Sequence, residues 1–157
     1  MMGDGTQMIS INVYTLKQFK DKEAPCNLAN SIIRTPRDAY AIIQNALDLE
    51  HESSEHFGIL TLNTKNGVAG LHVIAIGTLY AALIHPREVF KAAIMNNAAS
   101  LICFHNHPSG DPTPSQADIE LTDRLTEAGE IVGIEVKDHI IIGDGTFQSL
   151  LKYRAVS

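Results

Sequence analysis

The most informative stretch of the sequence is Ser100-Leu-Ile-Cys-Phe-His-Asn-His-Pro-Ser-Gly-Asp-Pro-Thr-Pro-Ser-Gln-Ala-Asp118. Its first five residues are mainly apolar, as in a buried strand. Prolines and a glycine then indicate a loop, and a helix is expected to begin near Ser115 and to end about Gly129. The stretch therefore predicts a buried strand that ends in polar residues, followed by a loop and a helix.

Helix and strand signals alternate along the rest of the chain. A helix is predicted from Thr35, where an N-cap threonine is followed by proline and, three residues after the cap, by Asp38. A second helix begins within residues 85–88. The remaining strands are predicted at residues 57–62, 68–76, 132–136 and 139–142. The order predicts an α/β fold in which one mixed sheet is sandwiched by helices.

Two of these strands flank Asn66-Gly67, a signal for a two-residue hairpin, and are expected to pair antiparallel. Near the N-terminus, residues 9–14 alternate apolar and polar side chains as a strand does, and residues 17–30 are polar and mixed. We therefore divide the 157 residues into an N-terminal extension, 1–30, made of a strand plus a polar segment, and a single domain, 31–157.

Charge and composition narrow the classes of partner. The net charge is -6, and the basic residues are scattered, with no cluster denser than Lys17, Lys20 and Lys22. Direct nucleic-acid binding is disfavoured, because it depends on basic side chains that neutralise phosphates. Cys26 and Cys103 form no C-x-x-C spacing, and the chain begins without a secretion signal. Residues 67–84 are apolar but too short for a membrane span. We expect a cytoplasmic protein with no membrane segment.

A candidate metal site follows the central strand. His105 and His107 lie two residues apart, so strand geometry directs both imidazoles to one face. A catalytic zinc typically has three protein ligands, and Asp118 at the start of the next helix is the candidate for the third. The same residues also have a structural interpretation, because Ser115-Gln-Ala-Asp118 is a capping box and histidines in turns are often surface residues. Spacing alone leaves both interpretations open.

The motif resembles that of a known family. His105-x-His107, seven residues and Ser115-x-x-Asp118 match the signature of the JAMM (JAB/MPN) metal-dependent peptidases, and residues 105–111 and 138–143 are similar to the RadC branch of that group. The resemblance implies a JAB/MPN-like, cytidine-deaminase-like fold. It also implies that the two histidines and the aspartate bind Zn²⁺, that Ser115 helps to stabilise an oxyanion and that an upstream glutamate activates water.

Three acidic residues, Glu50, Glu52 and Glu55, compete for the role of that glutamate. The family has E-x-F before its first hairpin, and Glu55-His56-Phe57 matches this pattern, so Glu55 is assigned as the general base. The competing interpretation is a solvated acid in a polar loop. His139 is interpreted as a partly buried structural imidazole rather than as a residue that supports the ligands. The other histidines are expected to be structural or surface residues: His51, His56, His72 and His85.

The resemblance implies hydrolysis of an amide or isopeptide bond in a peptide or protein substrate. A zinc nucleobase deaminase is disfavoured, because it requires a P-C-x-x-C motif that the sequence lacks. The remaining alternative is a non-catalytic adaptor associated with DNA repair and acting through a partner. RadC relatives often carry a helix-hairpin-helix domain before this region, and residues 1–30 are too few to form one. The sequence predicts neither the natural substrate nor the oligomeric state.

Overall fold

The computed structural model describes residues 10–25, 31–77 and 84–156. Its strands, in chain order, are β1 (His56–Leu62), β2 (Val68–Ile76), β3 (Ser100–Asn106), β4 (Glu135–Ile142) and β5 (Phe147–Ser149). They form one sheet in the order β2-β1-β3-β4-β5. β3 and β4 are parallel and the other neighbours are antiparallel, which confirms the predicted mixed sheet.

The helices are α1 (Pro36–Leu47), α2 (Pro86–Met95), α3 (Gln116–Val132) and α4 (Leu150–Val156). α1 begins where it was predicted, because the Thr35 side chain accepts a hydrogen bond from the backbone N–H of Asp38 and the Asp38 carboxylate accepts one from that of Thr35. α3 begins with an equivalent capping box. It ends at Gly133, which has a left-handed backbone (φ 82°) that glycine adopts without strain.

Helices cover both faces of the sheet. α1 packs on the face formed by alternate strand residues such as Leu60 and Phe104. α2 and α3 pack on the opposite face, over residues such as Ile59 and Cys103. β3 is buried along its whole length, as its apolar composition predicts. The predicted α/β sandwich is therefore confirmed. No helix in the described ranges is long and apolar enough to traverse a bilayer.

Three local predictions were wrong. The strands predicted at 132–136 and 139–142 are one strand, β4, and residue 132 still belongs to α3. Leu101 pairs with Val136 whereas Ile102 pairs with Asp138, so Lys137 is an extra residue without a partner in β3 and forms a β-bulge. The loop between β1 and β2 is residues 63–67 rather than two residues, because Asn63 Oδ1 accepts hydrogen bonds from the backbone N–H groups of residues 65 and 67.

The third wrong prediction concerns the N-terminal extension. Residue 9 lies outside the described residues, and residues 10–14 form no strand. Ile11, Val13 and Tyr14 are exposed. Alternation of side chains predicts a strand only where another strand supplies hydrogen bonds, and among the described residues the sheet ends at β2. The division at residue 30 stays a prediction.

Candidate metal centre

The candidate site lies where β3 ends. His105 is the penultimate residue of β3 and is buried, and His107 follows the strand directly. Their Nε2 atoms are 2.8 Å apart. The strand geometry therefore brings both imidazoles to one point, as their spacing predicts.

Asp118 reaches the same point from the first turn of α3. Its Oδ1 lies 3.1 Å from His105 Nε2, and its Oδ2 lies 3.2 Å from His107 Nε2. Oδ2 also accepts the capping hydrogen bond from the Ser115 backbone N–H at 2.8 Å. The two interpretations left open by the sequence are therefore compatible, because the helix cap itself orients the carboxylate toward the imidazoles.

The three side chains suit a divalent cation. Each offers one ligand atom, and these atoms lie within 4.8 Å of one another. Ligands about 2.0–2.1 Å from a tetrahedral zinc lie roughly 3.3–3.4 Å apart. The observed separations of 2.8, 3.1 and 3.2 Å are slightly shorter, so small outward movements would accommodate the ion. A positive charge among these two imidazole nitrogens and the carboxylate would offset the repulsion between their lone pairs.

The charges of the three groups are coupled. Burial acts to raise the pKa of Asp118, but the adjacent imidazoles of His105 and His107 outweigh it and hold that pKa well below its usual range. The hydrogen bond with Asp118 raises the pKa of His107, and the charge of Glu55 adds to this effect. Asp118 is therefore ionised across the physiological pH range and favours a cation beside it.

Glu55 lies at the same end of the sheet. It immediately precedes β1, in which Phe57 pairs with His105 of β3. Its side chain is half-buried, and its carboxylate is near enough to His107 to influence that imidazole. The competing acids are placed differently. Glu50 accepts a hydrogen bond from the Gly145 backbone at 3.0 Å, and Glu52 is exposed.

Ser115 is the exposed N-cap of α3. Its Oγ accepts a hydrogen bond from the backbone N–H of Asp118 at 3.1 Å, which leaves its own hydroxyl hydrogen available for donation. The structure thus places Ser115 one helical turn from the carboxylate that faces the imidazoles.

Two buried residues support the histidines and were not recognised from the sequence. His139 is 0% exposed; its Nε2 lies 2.7 Å from His105 Nδ1, and its Nδ1 lies 2.7 Å from Thr122 Oγ1. Burial lowers the pKa of His139 well below its ordinary value, so this imidazole is neutral. The signal for Thr122 was its spacing of four residues from Asp118, which places both on one helix face.

A third unrecognised residue, Asn106, supports the segment that carries Glu55. Its Oδ1 accepts a hydrogen bond from the His56 backbone at 2.6 Å, and its Nδ2 donates to the carbonyl oxygen of Ser54 at 3.0 Å. The backbone is therefore held on both sides of Glu55. Successive residues of a strand face opposite sides, so the Asn106 side chain points away from the face that His105 and His107 share. An amide buried on that other face needs hydrogen-bond partners such as these.

Comparison with known proteins places the sequence in a family. The sequence profile described as RadC-like JAB domain matches residues 33–155, which confirms the resemblance seen in the motif. A UPF0758 protein of Desulforamulus reducens is 58% identical over 119 residues, covering 76% of this chain and 52% of the relative. A UPF0758 protein of Moorella thermoacetica is 51% identical over 127 residues, covering 81% of this chain and 55% of the relative. The chain spans about half the length of the curated relatives it matches.

Proposed function

The chain belongs to the RadC-like JAB domain family, and from this premise we propose that it is a zinc-dependent hydrolase that cleaves an amide or isopeptide bond in a peptide or protein. The observation that carries the proposal is the convergence of His105, His107 and Asp118 at the end of β3, with Glu55 near enough to His107 to affect its pKa.

His105, His107 and Asp118 would hold the metal. Two imidazoles and one carboxylate are a ligand set that catalytic zinc sites use, and three protein ligands leave one position for water or substrate. When bound, zinc lowers the pKa of water toward about 7 and polarises a carbonyl oxygen. The ionised state of Asp118 supports this assignment, because its charge partly balances that of the cation.

Glu55 acts as the general base and then as the general acid. Its carboxylate takes a proton from the attacking water and delivers it to the amine that leaves when the amide bond breaks. The support for this role is positional: Glu55 is half-buried, lies within a backbone segment held by Asn106 and is near His107. A positioned backbone limits the number of orientations that the carboxylate can adopt.

Ser115 stabilises the oxyanion that forms on the attacked carbonyl. Its hydroxyl hydrogen is available because Oγ is only an acceptor in the helix cap. Removal of one comparable donor costs about 3–4 kcal/mol in transition-state stabilisation. Ser115→Ala is therefore expected to reduce turnover far more than it reduces zinc binding.

Zinc analysis and hydrolysis of a peptide library, measured with and without a chelator, test the proposal. Wild-type protein should bind one zinc ion and lose its activity with the chelator. Glu55→Gln should retain zinc and lose hydrolysis, whereas His107→Ala should lose both. Glu52→Gln is the matched control, since Glu52 is an exposed acid in the same segment and should behave as wild type.

Two outcomes would contradict the proposal. Equal loss of zinc from the Glu55→Gln and His107→Ala variants would make Glu55 a ligand rather than a base. Wild-type protein that binds zinc but cleaves no member of the library, even at high enzyme concentration, would favour the non-catalytic adaptor.

A further inference from the structure

A row of buried polar side chains leads away from the candidate metal centre into the core. His105, His139 and Thr122 come from β3, β4 and α3 and are all buried. They lie on the face of the sheet that α3 covers, and the rings of Phe57 and His139 pack nearly perpendicular to each other with their centroids 5.8 Å apart. Polar groups in such surroundings are costly unless every one of them is hydrogen-bonded.

The direction of each hydrogen bond in this row can be derived from its inner end. Thr122 Oγ1 donates its single hydrogen to the backbone carbonyl oxygen of Asp118 at 2.7 Å. Its contact of 2.7 Å with His139 must then be one in which His139 Nδ1–H donates. A neutral His139 with its hydrogen on Nδ1 has a lone pair on Nε2.

The lone pair of His139 also sets the direction of its hydrogen bond with His105, a proposed metal ligand. The lone pair on His139 Nε2 can only accept, so His105 Nδ1–H donates across the 2.7 Å contact between them. His105 therefore carries a hydrogen on Nδ1, so Nε2, the atom that faces His107 and Asp118, is the nitrogen left to offer a lone pair to a metal. If the hydrogen bonds in this row ran in the opposite direction, Thr122 would donate its hydrogen to His139 and would lose its hydrogen bond to the Asp118 carbonyl oxygen.

We propose that His139 and Thr122 are positioning residues, whose hydrogen bonds fix His105 in the Nδ1–H tautomer and orient its Nε2 lone pair toward a bound zinc ion. The proposal rests on the proposed zinc site. A metal ligand must present a lone pair, and an outer hydrogen bond to its other nitrogen fixes both tautomer and ring orientation. The row ends on the backbone of Asp118, so it also connects two of the three proposed ligands.

His107 has an independent support of the same kind. Its Nδ1 lies 2.8 Å from the backbone carbonyl oxygen of Asp111, which can only accept, so Nδ1 carries a hydrogen and Nε2 is the nitrogen left to bind a metal. Variants in the His139 row should therefore affect His105 and leave His107 unchanged, which gives the test an internal reference.

The chain offers a closely matched pair of threonines for the experiment. Thr122 and Thr126 both lie in α3, and each donates to the carbonyl oxygen four residues earlier, at 2.7 and 2.8 Å. Of the two, Thr122 contacts His139. Thr122→Val removes the hydroxyl with little change in shape, Thr122→Ser restores it, and Thr126→Val controls for the loss of a helix hydrogen bond.

Two measurements are made on the intact chain. Histidine ring NMR of the metal-free protein, at about pH 8 and so above the ordinary imidazole pKa, reports which nitrogen carries the hydrogen. Wild type should show the Nδ1–H tautomer for His105 and His139, and Thr122→Val should shift both toward a mixture. Competition with a chromophoric chelator then measures zinc affinity, which should fall about 10- to 100-fold in Thr122→Val and less than about 3-fold in the other two variants.

The result that would overturn the inference is an Nε2–H tautomer of His105 in metal-free wild type, or a Thr122→Val variant that binds zinc as tightly as Thr126→Val. The tautomer is measured without metal, so it separates this inference from the proposed function. Wild-type protein that binds zinc without hydrolysing peptides would refute the hydrolase and leave the positioning role intact, whereas wild-type protein with no zinc affinity would refute both.

Discussion

Replacement of Asn106 with alanine is expected to destabilise the protein and to loosen the segment that carries Glu55. Asn106 is 1% exposed, and all parts of its amide are used. Its Oδ1 accepts from the His56 backbone at 2.6 Å, and its Nδ2 donates to the carbonyl oxygens of Ser54 at 3.0 Å and Leu49 at 3.3 Å. The substitution removes all three hydrogen bonds and leaves the partly buried backbone N–H of His56 without its partner.

The magnitude follows from these contacts. A hydrogen bond contributes about 1 kcal/mol net, so three would contribute about 3 kcal/mol. The bond to Leu49 is long and contributes less, and the carbonyl of Ser54, an exposed residue, can regain a water molecule. We therefore expect a loss of roughly 2–3 kcal/mol in the free energy of unfolding, which is large against the 5–15 kcal/mol typical of domains and still leaves a folded protein.

Urea denaturation measures this loss, and hydrogen exchange of the backbone amides at residues 54–56 locates it. Asn45→Ala is the matched control, because Asn45 donates one exposed hydrogen bond to the Pro25 carbonyl oxygen at 2.8 Å and should cost less than about 0.5 kcal/mol. The reasoning would be refuted if Asn106→Ala were as stable as this control and exchanged at 54–56 no faster than wild type.

Two further predictions use pKa shifts away from the site. Hydrogen bonds from the backbone N–H groups of Arg34 and Thr35 hold the pKa of Asp38 below its ordinary 3.8. The ionised carboxylate therefore contributes to the free energy of unfolding above pH 3.8, and this contribution is lost as the pH falls through the lower pKa of the folded state. Asp38→Asn should lower the free energy of unfolding by roughly 1 kcal/mol at pH 7, and the difference from wild type in urea titrations should shrink toward pH 2; a constant difference would contradict the assignment. Burial raises the pKa of the Cys103 thiol, so iodoacetamide should modify the Cys103 peptide in urea but not in the folded protein, and mass spectrometry showing equal labelling would exclude the buried placement.

The features that the sequence predicted correctly have local causes. The start of α1 depends on Thr35 and Asp38, which are three residues apart, and the burial of β3 depends on its own apolar composition. β4 shows the opposite case. Lys137 and Asp138 look like a break between two strands, but Asp138 accepts hydrogen bonds from Ser149 Oγ and the Leu151 backbone, which lie at the end of β5 and the start of α4. Those partners are distant in sequence, so periodicity carries no signal for them.

Within the candidate site, too, some residues were predictable from local sequence and others depend on partners that are distant in sequence. The proposed ligands were predicted because a motif records their spacing, and the structure brings them together. The supporting residues depend on strand register instead. His139 meets His105 because β4 pairs with β3 in parallel and places residue 139 opposite Cys103, and no local pattern determines that register. Asn106 likewise reaches residues 54 and 56 only because β1 pairs with β3 on the other side.

Register in β3 therefore determines both halves of the proposed active site. Successive residues of a strand face opposite sides, so His105 faces α3 and the row through His139, whereas Asn106 faces the segment that carries Glu55. A slip of one residue would exchange these faces, and it would bury an imidazole among groups arranged for an amide. β3 is paired on both sides, by β1 and by β4, and both ladders would have to shift together for such a slip to occur. A central strand can thus fix the position of a proposed metal ligand relative to a residue that positions the base, although the two side chains lie on opposite faces of the sheet.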